Sequence, residues 1–188
     1  MVSRSTDKHC LTDLWSIAPK GNFSLDCHRE DGSQAETECS MSQQANKNLV
    51  ARYYDEMWNK WNFALVDELL AKEISFRGSL GTETHGRTAF CNYMRRVQGT
   101  FPDFRNEIDE MIAQRNRVFT RLTYTGTHRG EIFGVAPTGR KVSYAGAAFY
   151  RIENGQVAQG WVLGDLTGLL AQLGHECCLK PQASFLFK

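Results

Sequence analysis

Two chain reversals are written into the residue types between Gly126 and Gly174, in GTHRGEIFGVAPTGRKVSYAGAAFYRIENGQVAQGWVLGDLTGLLAQLG. Asn154-Gly155 is a strong two-residue hairpin signal, because both central positions of a type I′ turn need positive φ and these residues tolerate it best. Pro137-Thr138-Gly139-Arg140 suits a second tight turn, with Pro fixing φ at a central position and Gly relieving sterics at the end. Strands joined so closely must run antiparallel, which constrains the carboxy-terminal half to a meander.

The rest of the chain divides at Pro102. Upstream, Leu49, Val50, Tyr53, Tyr54, Met57 and Trp58 share one helical face, Trp61 to Leu70 makes a second short helix, and Phe90, Tyr93, Met94 and Val97 mark a third. A short strand around Ile74 to Arg77 interrupts them. Downstream the period falls to two, and Arg105 to Ala113, Arg117 to His128, Lys141 to Glu153 and Gln156 to Asp165 read as strands. Helices followed by an antiparallel meander make an α+β layer fold, the helices covering one face of the sheet.

Composition excludes several function classes. The net charge of +1 over 188 residues offers no basic field for nucleic acid, and no run of about 18 apolar residues is present to span a membrane. The partner expected is a small hydrophobic molecule. MVSRSTDKHC leads into no apolar core, which argues against a secretory leader. The six cysteines form no CxxC pair, so a reduced, cytoplasmic setting is expected. His175-Glu-Cys177-Cys178 and Cys27-His28 lack the paired spacing of a tetrahedral zinc site. Gly78-Ser-Leu-Gly81 and Gly134-Val-Ala-Pro137 lack the strand-to-helix context of a phosphate loop and read as turns.

The opening NLVARYYDEMWN, the FPDF at Phe101 to Phe104, and the runs GTHRG, APTGRKV, FYRIENGQV and WVLGDLTGLLAQLG occur together in an order that resembles the SnoaL-like polyketide cyclases, a branch of the NTF2-like proteins. The resemblance covers roughly Asn46 to Gly174. It implies a cone of three amino-terminal helices packed on a curved antiparallel sheet with a short carboxy-terminal helix, and a homodimer formed through the outer sheet face. It also implies cofactor-free ring closure of a polyketide or related β-dicarbonyl ester. Residues 1–45, largely polar and without sustained period, are expected to be a poorly ordered extension in which Leu14, Trp15 and Ile17 make one short apolar patch. Residues 175–188 are expected to form a tail, and Met41 is expected to be an alternative or original start.

On the last strand Val157, Gln159, Trp161, Leu163 and Asp165 share one parity, which suits a pocket lining, whereas Ala158, Gly160, Val162 and Gly164 suit close packing. The resemblance places the family's acid/base aspartate at Asp165. A carboxylate is a sufficient base when the carbon it deprotonates is flanked by carbonyls. The same residue precedes LTGLLAQL and suits an N-cap, with Gly174 as the closing glycine. His128, at a strand end, is expected at the pocket rim as a carbonyl-polarising group, or else bonded to backbone.

Tyr124, Trp161 and Gln159 are expected to line the pocket. Arg77 stands where many relatives have histidine. Arg121 either anchors an anionic substrate or pairs with a carboxylate of another strand, the latter being the structural default. Two other functions remain open. An epoxide-hydrolase-like or hydroxylase-like enzyme of the same fold would want carboxylates bracketing Arg121 in the pocket, and a non-catalytic binding or scaffolding module would leave Asp165 as a cap.

Overall fold

The computed structural model describes residues 32–175, with side chains from residue 42. The first helix, α1 (Gly32–Arg52), continues directly into a π-helical segment, Tyr53–Trp58. A π turn is wider than an α turn and is found mostly at functional sites. Here it carries Tyr53, Tyr54, Met57 and Trp58 all inward, none more than 5% exposed. α1 begins inside the segment expected to lack structure. Its Gln-, Ala- and Glu-containing run is compatible with helix, which extends cheaply once a packed turn has nucleated it. Residues 1–31, with the Leu14-Trp15-Ile17 patch, lie outside the described residues, as do Cys177 and Cys178.

The second expected helix is a 3₁₀ turn (Phe63–Leu65) followed by α2 (Val66–Leu69). The third is α3 (Gly86–Thr100), whose buried residues are the Phe90, Tyr93, Met94 and Val97 of the sequence pattern. Six strands make one sheet: β1 (Leu70–Arg77), β2 (Glu83–His85), β3 (Arg105–Gln114), β4 (Arg117–Thr127), β5 (Lys141–Glu153) and β6 (Gln156–Gly164). Their order is β2-β1-β6-β5-β4-β3. β3 to β6 form the expected antiparallel meander, but β1 pairs with β6 in parallel. The sheet is therefore mixed. Tight turns force neighbours to be antiparallel, whereas the long connection from β1 to β6, through α3 and the meander, imposes no such direction.

Asn154-Gly155 forms the expected hairpin turn, with φ of 50° and 71°. The other reversal is displaced. Residues 128–140 form a longer connection whose tight turn lies at Ile132–Val135, where Phe133 and Gly134 both have positive φ. Thr138 and Gly139 instead fold back on His128, as the Gly139 N–H to His128 carbonyl bond of 2.9 Å shows. Gly78–Gly81 is a turn as read, closed by a 3.0 Å bond between their backbones.

β6 carries the irregularity that matters most. Its register with β5 shifts between Arg151 and Ile152, and Val157 and Ala158 are buried in succession. A one-residue bulge inverts every side chain beyond it. Val157 points into the core as expected. After the bulge it is Gly160 and Val162 that face inward, while Gln159, Trp161 and Leu163 face out. The small residues do pack closely: a Cβ on Gly160 would sit 2.7 Å from the Phe76 ring.

The closing helix, α4 (Leu166–Gln172), is pinned across β5. Gln172 Oε1 accepts from the Ser143 N–H and its Nε2 donates to the Ser143 carbonyl, at 2.9 and 2.8 Å. Gly174, at φ 85°, ends it.

Candidate active site

The inner sheet face, the π segment and α3 enclose one cavity, and all six tyrosines of the chain line it: Tyr53, Tyr54, Tyr93, Tyr124, Tyr144 and Tyr150. Tyr53 and Tyr54 come from the π turn, Tyr93 from α3, Tyr124 from β4, and Tyr144 and Tyr150 from β5. Trp58, Phe76, Phe101 and Phe104 complete most of the wall. The cavity holds about 520 Å³ of empty space counted out to its mouth, but the centre of a water-sized sphere reaches only about 40 Å³ of it. It is a slot between rings. Leu80, Thr100 and Ile132 also line an adjoining, roomier hollow with Arg96, Glu131 and Phe133, so the two spaces meet there.

Most of the rings are set edge to face or tilted, and Phe104 stacks on Tyr124 at 5.6 Å, arrangements that their quadrupoles allow. Tyr53 meets Tyr54 at 5.0 Å and Tyr150 at 5.2 Å, and Tyr124 meets Tyr144 at 5.2 Å between centroids. Glycines make room for them: a Cβ on Gly146 would fall 2.0 Å from the Tyr124 ring, and one on Gly78 would fall 2.1 Å from the Tyr93 hydroxyl.

No charged side chain and no histidine lines the cavity. Burial pushes the pKa of all six phenols up, because removing water penalises the phenolate. They are neutral hydrogen-bond donors at physiological pH. The Tyr54 and Tyr150 hydroxyls bond to each other at 2.5 Å. Asn106, 4% exposed, is oriented by Asn59, whose Oδ1 accepts from both its N–H (2.7 Å) and its Nδ2 (3.0 Å).

The residues singled out from sequence fall in several places. Tyr124 lines the cavity as expected, 3% exposed. Trp161 and Gln159 do not line it, for the bulge turns both outward, and Trp161 is 38% exposed. Arg77 shares that outer face, with its guanidinium 5.5 Å from the Trp161 ring centroid and Nη1 donating to the Val162 carbonyl at 3.3 Å. Arg121 is on the outer face too, paired with Asp109 at 3.1 Å and Glu110 at 3.5 Å, so its two carboxylates bracket it outside the pocket.

Asp165 is exposed and caps α4, accepting the Gly168 N–H on Oδ1 at 2.8 Å. Its neighbour Gly164 abuts the wall: a Cβ there would lie 3.2 Å from both Ser79 and Tyr144. His128 is fully buried rather than at the rim. Its Nδ1 accepts the Thr138 N–H at 3.2 Å, which places the proton of the neutral ring on Nε2, and the ring packs against Phe101 at 5.7 Å. The histidine thus braces the 128–140 connection behind the cavity wall.

Five of the six tyrosines, with Trp58 and Asn106, escaped the sequence reading. The signal was present for some: Tyr53, Tyr54 and Trp58 share an apolar helical face, and Tyr144 and Tyr150 share one parity of β5. Their convergence was not visible.

The sequence profile of the SnoaL-like polyketide cyclases matches residues 48–173. The chain belongs to that family. This SnoaL-like protein is similar in structure to AclR, a proposed hydroxylase from Streptomyces galilaeus, with TM-score 0.63 and 27% identity over 72% of this chain and 88% of that one. It is also similar to IdmH, a proposed polyketide cyclase from Streptomyces antibioticus, with TM-score 0.61 and 26% identity over 69% and 98% of the two chains. A SnoaL-like polyketide cyclase from Agrobacterium tumefaciens shares the fold, with TM-score 0.61 at 19% identity over 69% and 98%. No curated protein sequence matches. No described helix is long and apolar enough to cross a membrane.

Proposed function

We propose that this SnoaL-like protein is a cyclase that closes a ring by intramolecular aldol-type attack in a polyketide or related β-dicarbonyl ester. The observation that carries the reading is the uncharged, tyrosine-lined slot, which suits a flat, oxygen-bearing ring system and keeps it dry. A base removes a proton from a carbon flanked by carbonyls, the resulting enolate carbon attacks a second carbonyl, and that oxygen takes up a proton. Such a carbon is acidic enough for a carboxylate to serve without a cofactor.

The base we assign is Asp165, which follows directly on Gly164, a residue packed against the lining residues Ser79 and Tyr144. To act, its carboxylate exchanges the Gly168 N–H for the substrate. His128 then serves as a positioning residue through Phe101 rather than as a polarising group.

A second reading is favoured by the cap itself: with Asp165 held on α4 and exposed, the domain is a small-molecule-binding module. The likeness to AclR also keeps a hydroxylase within reach of the same slot. Asp165→Asn separates the first two, because Asn keeps the shape and much of the capping ability but cannot accept the proton. Turnover of an uncyclised aromatic polyketide ester should fall about 10² to 10⁴-fold with the melting temperature little changed. Wild-type turnover in the variant would remove Asp165 as the base.

We further propose a homodimer through the outer sheet face. Ile112, Phe119, Phe149, Trp161 and Arg77 stand in register across five strands, and Phe149 and Ile112 are more than half exposed. Apolar rows of this kind mark association surfaces.

A further inference from the structure

One part of the slot's wall presents hydrogen-bond donors that the protein leaves without acceptors. Trp58 is 5% exposed and lines the cavity, and its Nε1–H has no hydrogen-bond partner. An indole N–H can only donate, so no rearrangement of protons relieves it. The Tyr53 hydroxyl stands close enough for the indole N–H to favour its phenolate as a donor would, but outside hydrogen-bond geometry. The Tyr54 and Tyr150 hydroxyls, which also line the cavity, share one bond in which one gives its proton to the other, and the second proton is within reach of Thr120 or of a ligand. The Thr120 hydroxyl is fully buried and outside hydrogen-bond geometry, yet close enough to Tyr54 to favour its phenolate as a donor would.

Buried donors are satisfied in nearly all proteins, and an exception calls for a missing partner. The missing partner here has a definite chemistry. It accepts hydrogen bonds, because Trp58 cannot. It is uncharged, because no cationic side chain lines the slot to offset a carboxylate or phosphate. It carries an aromatic ring, because ten of the seventeen lining residues are aromatic and rings pair well with rings. The donors come from the π turn and β5, two elements that the fold brings together.

We propose that the Trp58 Nε1–H and the Tyr54–Tyr150 hydroxyl pair form a carbonyl-binding subsite for the oxygen of an uncharged aryl ketone. This rests on the cyclase reading only in taking the slot as the ligand site. It adds which part of the wall meets the ligand oxygen: the carbonyl faces the π turn and β5. If that carbonyl neighbours the carbon that loses a proton, the same neutral donors hold the enolate oxygen that develops.

The test compares 1-indanone with indane, which share a nearly flat bicyclic skeleton and differ at the carbonyl, using the full chain. Water solvates the ketone better, so an apolar slot without donors would favour indane. Titration should show indanone binding roughly fivefold more tightly, the yield of about one net hydrogen bond. Of the four tryptophan indole N–H resonances, the one that Trp58→Phe removes should move downfield with indanone and not with indane. Trp58→Phe and Tyr150→Phe should each abolish the preference while indane still binds. Should either variant fail to fold, the wild-type affinity ratio and the indole shift decide alone. Equal binding of the two, or tighter indane, overturns the subsite and leaves the slot as a binding site. Binding of neither overturns both.

Discussion

Phe149 and Tyr150 are chain neighbours on β5, yet Tyr150 is 2% exposed and Phe149 51%. They stand for the two faces of one sheet. Both faces are rich in aromatic rings, but inward rings pack edge to face around a slot, while the outward Phe119, Phe149 and Trp161 form a ladder with spacings of 4.9 and 6.2 Å. Ionic chemistry is segregated too. The outer face holds Arg121 with its carboxylates and Arg77 over Trp161, whereas the inner face bears only neutral hydroxyls, an amide and an indole. Aromatic content alone thus does not mark a binding site. Enclosure and the loss of water turn a row of rings into one.

The largest effect expected from this contrast is on stability. Tyr150→Ala removes a fully enclosed ring and should cost about 3–5 kcal/mol in a denaturant titration. Phe149→Ala, next in sequence, should cost the monomer less than about 1 kcal/mol. Equal costs would mean the two faces are not the distinct environments described.

The contrast sharpens in solution. If the outer row is an interface, sedimentation at micromolar concentration should give a dimer, and Phe149→Glu combined with Trp161→Glu should give a folded monomer. Ligand binding in the slot should be unchanged in that variant. A wild type that sediments as a monomer at all concentrations removes the outer face from the list of functional surfaces.

The smallest effect lies where the two faces meet, at the end of β4. Asp103 is held below the ordinary carboxylate range, first by the Thr127 hydroxyl at 2.7 Å and then by the Thr127 N–H at 2.6 Å. A depressed folded pKa contributes stability above the unfolded value of about 3.9 and loses it as pH falls through the folded value. Thr127→Val should raise the Asp103 pKa in an NMR titration. It should cost at most a few tenths of a kcal/mol at neutral pH, since the carboxylate is exposed and screened. That deficit should vanish in acid.

Much of the fold was legible because its signals are local. β5 runs from Lys141 to Glu153 and the hairpin turns at Asn154-Gly155, where the sequence put them, since alternation and turn chemistry act within a few residues. α3 buries the four residues that its 3.6-residue period singled out. The structural pairing of Arg121 and the glycine that ends α4 were legible for the same reason.

The site was less legible. Reading β6 as one uninterrupted alternation put Trp161 and Gln159 inside; the bulge at Val157-Ala158 puts them outside. Nothing in a run of Val, Ala, Gln and Gly announces an extra residue in a ladder, because the bulge is set by what the neighbouring strands pair with. The π turn at Tyr53–Trp58 is equally silent, for its residues satisfy an α-helical pattern as well.

By itself, then, the sequence determined the family, the order of helices and strands and the faces of those elements that run without interruption, since periodicity and turn preference are properties of neighbours in the chain. Only the tertiary structure decided which face of β6 looks inward and that Tyr54 meets Tyr150 across 96 positions in the wall of a slot. Those outcomes depend on which strands pair, in what register, and how much water is left between them, and no local segment of the chain carries that information.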